Sequence, residues 1–229
     1  MSVAGAALDV QELVASGRAE RLPAQELVGW LADRFHPNVA LACSFQKEES
    51  VLLDMLLAAE PRARVFALDT HVLFPETYAL WRELEKRYSM RIEVYEGPSL
   101  GRQAAIHGDA LWGRKPDLCC AIRKVEPLGR ALAGLDCWIT GIRREQSPTR
   151  AGAPKLGWDE THELWKANPL ADWTDEDVWA YVRERDLPYN ALHDRGYASI
   201  GCAHCTRPGR GREGRWSGQG KTECGLHAS

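Results

Sequence analysis

The stretch NVALACSFQKEESVLLDMLLAAEPRARVFALDT, residues 38–70, decides the fold. Residues 38–45 and 64–70 are short apolar runs, the pattern of buried β-strands. Between them, residues 48–59 carry apolar side chains at helical spacing. A strand, a helix and a second strand in this order predict a βαβ unit with a parallel sheet.

The same alternation continues on both sides of this stretch. Two further strands are predicted at 91–96 and 136–142, and helices at 23–34, 75–88 and 121–134. Thr174 and Asp177 form the pattern of a helix N-terminus, and Leu187-Pro188 would end that helix. The predicted fold class is therefore α/β, a parallel sheet flanked by helices.

Composition divides the chain into three parts. Residues 1–22 are interpreted as an N-terminal extension and residues 23–206 as the α/β domain. Residues 207–229 begin with RPGRGREGRWSGQGK, which holds five glycines, five Lys/Arg and almost no apolar residues. We therefore expect a mobile C-terminal tail that has no core of its own.

Length and charge limit the classes of function. The chain has 229 residues, 45% of them hydrophobic, which suffices for a buried core. A net charge of -3 gives no global reason to bind nucleic acid or an anionic membrane, so neither is an expected partner. The first twenty residues lack a membrane-spanning apolar run, and the expected location is the cytoplasm. A homo-oligomer is among the assemblies that the sequence allows.

Polar residues follow three of the predicted strands. They are Ser44, the pair Asp69-Thr70, and Gly141 with Arg143 and Arg144. In an open parallel sheet, ligands bind beyond the carboxyl ends of the strands, so we expect these groups to converge on one crevice. Ser44 also precedes a predicted helix, where free backbone N–H groups favour a phosphate. An ordinary loop with a helix-capping serine explains Ser44 equally well.

The seven cysteines favour metal binding, redox chemistry or burial over a disulfide framework. Cys119-Cys120 and Cys202-x-x-Cys205 form two thiol pairs, and the second has the spacing that lets two sulfurs reach one metal centre. Structural zinc and an iron-sulfur cluster both fit four thiols. Adjacent cysteines point in different directions on a regular element, so a shared centre requires a local distortion of the backbone.

The other three cysteines differ in their surroundings. Cys43 and Cys137 lie inside apolar strands and are expected to be small core residues. Cys224 stands in the polar segment GKTECGLH, so we expect an exposed thiol with Lys221 and His227 nearby to favour the thiolate. An adventitious tail cysteine without a function remains an alternative.

Basic residues recur where an anionic ligand would need them. They are Arg123, Lys124, Arg143, Arg144, Arg150, Arg207, Arg210, Arg212 and Arg215. Arginine makes planar bidentate contacts to phosphate or sulfate oxygens. Solvated surface charge is the simpler interpretation, but in the tail only Glu213 interrupts the basic run.

Six motifs together resemble a known family, the adenylyl-sulfate and phosphoadenylyl-sulfate reductases of assimilatory sulfate reduction. In chain order they are LDTHVLFPET, KPDLCCAIRKVEPL, ITGIRREQSPTR, PLADWTDEDVWAYV, YASIGCAHCTRPG and GRWSGQGKTECGLH. The resemblance implies an adenine nucleotide alpha-hydrolase-like fold, related to ATP pyrophosphatases whose phosphate loop reads Ser-x-Gly-x-x-Ser. Here Ser44 remains, while Gln46 and Glu49 replace the glycine and the second serine.

The resemblance also implies the roles of individual residues. It implies one 4Fe-4S cluster per chain, ligated by Cys119, Cys120, Cys202 and Cys205, and it implies that Cys224 is the nucleophile. Substrate contacts are implied for Ser44, Leu68, Lys124, Gly141, Arg150, Arg212 and Arg215. The SPTR segment that holds Arg150 is shorter than the SPGTR of relatives.

The activity implied by the resemblance is reduction of adenosine 5'-phosphosulfate to sulfite and AMP. It would proceed through an S-sulfonate on Cys224, with reduced thioredoxin as electron donor, in sulfate assimilation and cysteine biosynthesis. One alternative is the reduction of phosphoadenylyl sulfate (PAPS). Another is a non-catalytic, metal-sensing nucleotide-binding protein, which would not need Cys224.

Overall fold

This computed structural model describes residues 10–216, 218, 221 and 223–227. Residues 1–9 of the predicted N-terminal extension lie outside the described residues, as do positions 217, 219, 220, 222, 228 and 229 of the predicted tail. The chain forms two compact units. The first comprises Met1–Ala42, Lys47–Val65 and Gly134–Leu187, and the second comprises Cys43–Gln46, Phe66–Ala133 and Pro188–Ser229.

Helices and strands alternate along most of the chain. In order they are α1 (Arg18–Arg21), α2 (Ala24–Phe35), β1 (Val39–Ala42), α3 (Lys47–Ala59), β2 (Arg64–Asp69), α4 (Pro75–Arg87), β3 (Glu93–Glu96), α5 (Leu100–His107), α6 (Leu111–Arg114), α7 (Pro116–Cys120), α8 (Glu126–Leu132), β4 (Cys137–Ile139), β5 (Leu156–Asp159), β6 (Leu164–Ala167) and α9 (Asp175–Glu184). Short 3-10 turns lie at Arg144–Gln146, Pro148–Arg150, His193–Arg195 and Ala203–Cys205.

The strands form one six-stranded sheet in the order β3-β2-β1-β4-β6-β5. β2 pairs with β3, β1 with β4 and β4 with β6 in parallel, whereas β5 runs antiparallel to β6. All four predicted strands are present, and the α/β class is confirmed. The sheet is mixed rather than purely parallel, because β5 is antiparallel to β6. The sequence analysis predicted neither of these two strands.

The first unit is built on apolar faces that the helical spacing predicted. Leu27 and Leu31 of α2 and Leu52 and Leu56 of α3 are fully buried. Every residue of β4 is buried, as expected for a strand covered on both faces. The capping prediction at α9 is also confirmed, because the Thr174 side chain accepts from the Asp177 backbone N–H and the Asp177 carboxylate accepts from the Thr174 backbone N–H.

The second unit contains Phe66–Asp69 of β2, the whole of β3 and helices α4 to α8. Pro75 stands in the first turn of α4, where its fixed φ suits the helix and its missing N–H has no cost. The helix predicted at 121–134 is interrupted in the structure. Residues Ala121–Val125 form a π-helical turn, α7 precedes this turn and α8 follows it.

Among the described residues, none of the helices combines the length and apolar character needed to cross a bilayer.

Candidate active site

The adjacent thiols lie at the end of a short helix. Pro116 begins α7, and Cys119 and Cys120 are its last two residues, both buried. The π-helical turn Ala121–Val125 follows at once. The distortion expected at the pair itself is not seen, because Cys120 has ordinary helical dihedral angles (φ −66°, ψ −39°) and the wider π-helical turn begins one residue later. Such turns occur frequently at functional sites.

The second thiol pair lies on a tight turn in the same unit. The Cys205 backbone N–H donates to the Cys202 carbonyl over 3.0 Å, which closes the 3-10 turn between the two cysteines. Cys202 forms a β-bridge with Leu73, and its thiol donates to the Thr70 hydroxyl over 3.3 Å. The loop that follows β2 thus holds the Cys-x-x-Cys turn in place.

All four of these thiols line a single cavity of the second unit. The lining residues are Val72, Trp112, Pro116, Cys119, Cys120, Arg123, Lys124, Cys202, Cys205, Arg215 and Trp216. Burial raises the pKa of the Cys119 thiol to about 11, and the neighbouring thiols of Cys120, Cys202 and Cys205 act in the same direction. A bound cation would remove this mutual repulsion, so the donor set suits a metal centre.

The spacing of the four thiols tests which centre fits. A tetrahedral zinc site, with Zn–S bonds of about 2.3 Å, would hold its sulfurs about 3.8 Å apart. Within the described part of the chain, no three of the cysteine thiols lie within 4.8 Å of one another. Any three of these thiols therefore include a pair more than 4.8 Å apart, which is farther than a tetrahedral zinc site holds its sulfurs.

Cys224 is placed differently from the sequence prediction. Its side chain was expected to be exposed, but only 8% of the residue is accessible. It packs with Cys120 and Trp216 in a small apolar cluster at the thiol cavity. Gly225 has φ = 86°, a conformation that favours glycine, and a Cβ there would lie 3.5 Å from the Val125 side chain. The chain thus turns sharply beside the π-helical turn and seats the thiol inward.

The cations that stabilise the Cys224 thiolate also differ from the prediction. Burial raises the pKa of the thiol, but the charge of Lys124, a hydrogen bond from the Leu226 backbone and the charge of Arg215 outweigh it, so the pKa is lowered overall. The sequence prediction named Lys221 and His227 instead. Lys221 forms an ion pair with Asp117 in the structure.

Lys124 has thiols as its main electrostatic partners. It lies on the π-helical turn and is buried, and burial alone would lower its pKa. The electrostatic influence of the Cys202 and Cys224 side chains outweighs burial, so the pKa of Lys124 is raised and the ammonium charge is retained. Lys124 therefore keeps a positive charge close enough to Cys202 and Cys224 to interact with both electrostatically.

The two tail arginines have different surroundings. Arg215 is 7% exposed and donates through Nη1 to the Ser199 hydroxyl and the Ile200 carbonyl, each over 3.2 Å. Its Nε has no hydrogen-bond partner among the described residues. Arg212 forms an ion pair with Glu223 at 2.9 Å. Both guanidinium groups lie over the Trp216 ring, at 4.5 Å for Arg215 and 5.8 Å for Arg212.

The remaining predicted contacts of the second unit are Ser44 and Leu68. Ser44 is exposed, and its hydroxyl accepts from the Gln46 amide over 3.3 Å. Leu68 is half-buried on β2, opposite Tyr95 of β3.

Gly141 and Arg150 belong to the first unit. The Gly141 carbonyl accepts from the Gln146 amide over 3.1 Å, and Arg150 donates to the same amide over 2.6 Å. A Cβ at Gly141 would overlap the side chains of Glu48 and Glu49, so only glycine fits. The convergence of the three strand-end groups on one crevice stays a prediction.

Arg143 and Arg144 have carboxylate partners in the first unit. Arg143 is buried and forms ion pairs with Glu48 and Asp175, each at 2.9 Å. Arg144 pairs with Glu20 at 2.6 Å. Both side chains have structural partners that the sequence analysis did not identify.

Trp216 is the main residue of the site that the sequence analysis missed. It is 3% exposed, packs on Cys120 and Cys224, and lies under three cations, Arg212, Arg215 and Lys221. A lone aromatic residue in an otherwise polar, basic tail was the available signal. The prediction that the tail lacks a core is therefore wrong at this position. The two other core predictions are confirmed, since Cys43 and Cys137 are both buried.

The fold and the thiol cavity define a class of protein: a mixed, mostly parallel α/β protein of the adenine nucleotide alpha-hydrolase-like type, with a cysteine centre beside one further buried thiol. Residues 38–208 match the model of the phosphoadenosine phosphosulfate reductase domain. The chain belongs to the phosphoadenosine phosphosulfate reductase family, and it is an oxidoreductase.

Similar proteins carry the names of two related reductases. A phosphoadenosine 5'-phosphosulfate reductase of Gloeobacter violaceus is 51% identical over 203 residues, which are 85% of this chain and 84% of the relative. An adenosine 5'-phosphosulfate reductase of Salinibacter ruber is 45% identical over 209 residues, 89% of this chain and 83% of the relative. A solved phosphoadenylyl-sulfate reductase from Candida auris, in complex with phosphate, is similar with a TM-score of 0.75 and 32% identity over 90% of this chain and 98% of that one.

Proposed function

We propose that this protein reduces adenosine 5'-phosphosulfate to sulfite and AMP, with Cys224 as the nucleophile and reduced thioredoxin as the electron donor. The observation that carries the proposal is the placement of the Cys224 thiol. It is buried against the thiol cavity, and Lys124 and Arg215 lower its pKa. A structural cysteine would not need two cations to stabilise its charged form.

In the first step the Cys224 thiolate attacks the sulfur of the bound phosphosulfate. A new S–S bond forms, the bond from that sulfur to the phosphate oxygen breaks, and AMP leaves with the electron pair. The enzyme then carries an S-sulfonate on Cys224. The attacking thiolate and the sulfate are both anionic, so Lys124 and Arg215 reduce their repulsion and stabilise the transferring group.

In the second step a thioredoxin thiolate attacks the Cys224 sulfur. The S–S bond to the sulfonate breaks and sulfite leaves, which produces a mixed disulfide between the two proteins. The second thioredoxin thiol resolves this disulfide, so the dithiol supplies both electrons. Because the thiol is buried in the structure, this step requires the tail to expose Cys224. We therefore retain residues 207–229 as a mobile catalytic tail, after an extension at 1–22 and a domain at 23–206.

We propose that Cys119, Cys120, Cys202 and Cys205 hold one 4Fe-4S cluster. The spacing of the thiols supports this assignment over zinc, because any three of them include a pair more than 4.8 Å apart. When bound, the cluster would supply a fixed structural centre and an electrostatic influence beside the reacting sulfur.

The proposed substrate contacts are the seven residues that the resemblance implied. Ser44, Leu68, Lys124, Arg212 and Arg215 belong to the second unit, and Gly141 and Arg150 to the first. Arg212 and Arg215 would bind sulfate oxygens through charge-assisted hydrogen bonds.

We place the enzyme in sulfate assimilation and cysteine biosynthesis in the cytoplasm. None of the seven cysteines, all of them among the described residues, forms a disulfide.

Mass spectrometry tests the proposed function directly. Wild-type protein incubated with adenosine 5'-phosphosulfate, without a reductant, should gain the mass of one sulfonate, and peptide mapping should place it on Cys224. Reduced thioredoxin should then release the adduct as sulfite. An unmodified protein that nevertheless binds the nucleotide would overturn the proposal.

Reduction of phosphoadenylyl sulfate is the second candidate function. One observation favours it, because the Gloeobacter violaceus relative, at 51% identity, is named for that substrate. Turnover of the two nucleotides under the same conditions decides between them: a higher kcat/KM for the 3'-phosphorylated nucleotide would reassign the substrate.

Replacing Arg215 by alanine should raise the KM for adenosine 5'-phosphosulfate. A hydrogen bond to a charged group contributes about 1.5–3 kcal/mol, which corresponds to a roughly 10- to 150-fold increase. Arg212→Ala should act in the same direction and more weakly, because Glu223 already neutralises part of its charge. Steady-state kinetics measures both effects. Arg210→Ala is the matched control, since Arg210 is an exposed arginine of the same tail. Unchanged kinetics in both test variants would make these arginines ordinary surface charges.

A further inference from the structure

Gln46 joins two loops of the second unit. Its amide nitrogen donates to the Ser44 hydroxyl over 3.3 Å, and its amide oxygen accepts from the Ile200 backbone N–H over 2.8 Å. Ile200 is 3% exposed and stands two residues before Cys202. One side chain therefore connects the loop of the proposed phosphate contact with the segment that leads into the Cys-x-x-Cys turn.

The segment that Gln46 holds also binds Arg215. The peptide group between Ser199 and Ile200 supplies the N–H that Gln46 binds, and Arg215 is bound by the Ser199 hydroxyl and the Ile200 carbonyl on either side of it. A Cβ at Gly201 would overlap the Arg215 guanidinium, so this segment also shapes the space that the guanidinium occupies. Since a peptide group is planar, fixing its N–H limits the orientation of both neighbours.

The loop that carries Gln46 is firmly supported. Phe45 has φ = 62°, a left-handed conformation that is costly for a residue with a Cβ. Its ring is 2% exposed and stacks on Trp81 with the centroids 4.8 Å apart. The packing of Phe45 therefore holds the loop in an unfavourable backbone conformation that presents both Ser44 and the Gln46 amide. Strain of this kind persists only where the surroundings over-determine the conformation.

We propose that Gln46 is a positioning residue for the sulfonyl transfer. By holding the Ser199–Ile200 peptide, it fixes Arg215 relative to the loop that carries Ser44, so that the sulfate is bound by Arg215 while the nucleotide phosphate lies at that loop. A side chain without an amide makes neither hydrogen bond. This inference rests on the proposed function of Cys224, Ser44 and Arg215, and it predicts that Gln46 acts through Arg215.

A double-mutant cycle tests whether Gln46 acts through Arg215. Gln46→Met keeps the length of the side chain but removes both hydrogen bonds, and it is made in the wild-type and Arg215→Ala backgrounds. The readout is the single-turnover rate of S-sulfonation of Cys224 at saturating adenosine 5'-phosphosulfate, followed by mass spectrometry. Cofactor content from the visible spectrum and the Tm of each variant are measured in parallel. Gln25→Met is the control, because it removes an exposed amide hydrogen bond, to Tyr181 in the first unit.

We expect Gln46→Met to slow S-sulfonation about 3- to 10-fold when Arg215 is present, the effect of one lost hydrogen bond. In the Arg215→Ala background the same change should have no further effect. Equal slowing in both backgrounds, or no slowing when Arg215 is present, would overturn the inference while leaving the proposed function intact. Failure of the wild-type protein to form the adduct would instead overturn the proposed function.

Gln46→Glu distinguishes the hydrogen bond to Ile200 from the hydrogen bond to Ser44. It also replaces Gln46→Met as the test if the methionine variant does not fold. A carboxylate oxygen can still accept from the Ile200 N–H, so the saturating rate of S-sulfonation should stay within about 2-fold of the wild-type rate. The added negative charge beside Ser44 should weaken the binding of AMP, measured by equilibrium titration. A saturating rate lowered as far as in Gln46→Met, or unchanged AMP affinity, would contradict the proposed role.

Discussion

Replacing Cys224 by serine should abolish sulfite production and leave nucleotide binding in place. A serine hydroxyl is not appreciably ionised at neutral pH, so the stabilisation that Lys124 and Arg215 give to a thiolate has no counterpart in the variant. We expect kcat to fall by at least about 10⁴-fold, as is typical when a nucleophile is removed. Sulfite release measures turnover, and titration with AMP measures nucleotide binding.

The point variant is a sharper test than removal of the tail. Residues 223–227 seat Cys224 against Cys120 and Trp216, so deleting residues 222–229 would uncover one thiol of the cavity as well as remove the nucleophile. Cys43→Ala is the control, because Cys43 is a buried cysteine that does not line the cavity. Sulfite formation by Cys224→Ser at the wild-type rate would show that the nucleophile is a different group.

The sequence predicted the fold where local patterns are strong. Short apolar runs predicted the strands β1 and β2. Apolar side chains at helical spacing predicted α3 between them. β5 and β6 gave no such signal. Each has only four residues, and polar or small residues such as Gly157 and Lys166 interrupt them. Their pairing depends on β4, a contact between distant parts of the chain that no local pattern encodes.

The site shows the same division between local and tertiary information. The burial of Cys43 and Cys137 could be predicted from the apolar strands around them. The burial of Cys224 could not, because its neighbouring residues are polar and its apolar contacts come from Cys120 and Trp216. Lys124, which lowers the pKa of Cys224, stands 100 positions before it in the chain. The sequence analysis considered only the residues next to the thiol and therefore predicted Lys221 and His227 instead.

The sequence analysis also did not predict the π-helical turn at Ala121–Val125. Adjacent Cys119 and Cys120 indicated that some distortion was needed, but the residues from 121 to 134 carry a helical pattern that predicts a regular helix. The wider turn at Ala121–Val125 is compatible with that pattern, because it adds only one residue to one turn.

Replacing any one of Cys119, Cys120, Cys202 and Cys205 by serine should remove the cofactor and the activity together. A hydroxyl is a poor ligand for iron, and the three remaining thiols leave one metal position without a soft donor. Protein purified without oxygen should be brown and hold about four irons per chain, whereas each variant should lose the visible absorption and fall to a small fraction of wild-type sulfite release. Iron analysis and the visible spectrum measure the first effect, and turnover measures the second.

Cys137→Ala separates loss of a ligand from loss of packing. Cys137 is fully buried in β4, where burial raises the pKa of its thiol, and it does not line the thiol cavity. Its replacement should lower the free energy of unfolding by about 1 kcal/mol and leave the iron content unchanged.

A colourless wild-type protein with one tightly bound zinc would contradict the cluster assignment, and so would a Cys202→Ser variant that keeps all of its iron. Because one centre holds about four irons and the other a single zinc, metal analysis of the wild-type protein alone already separates the two centres.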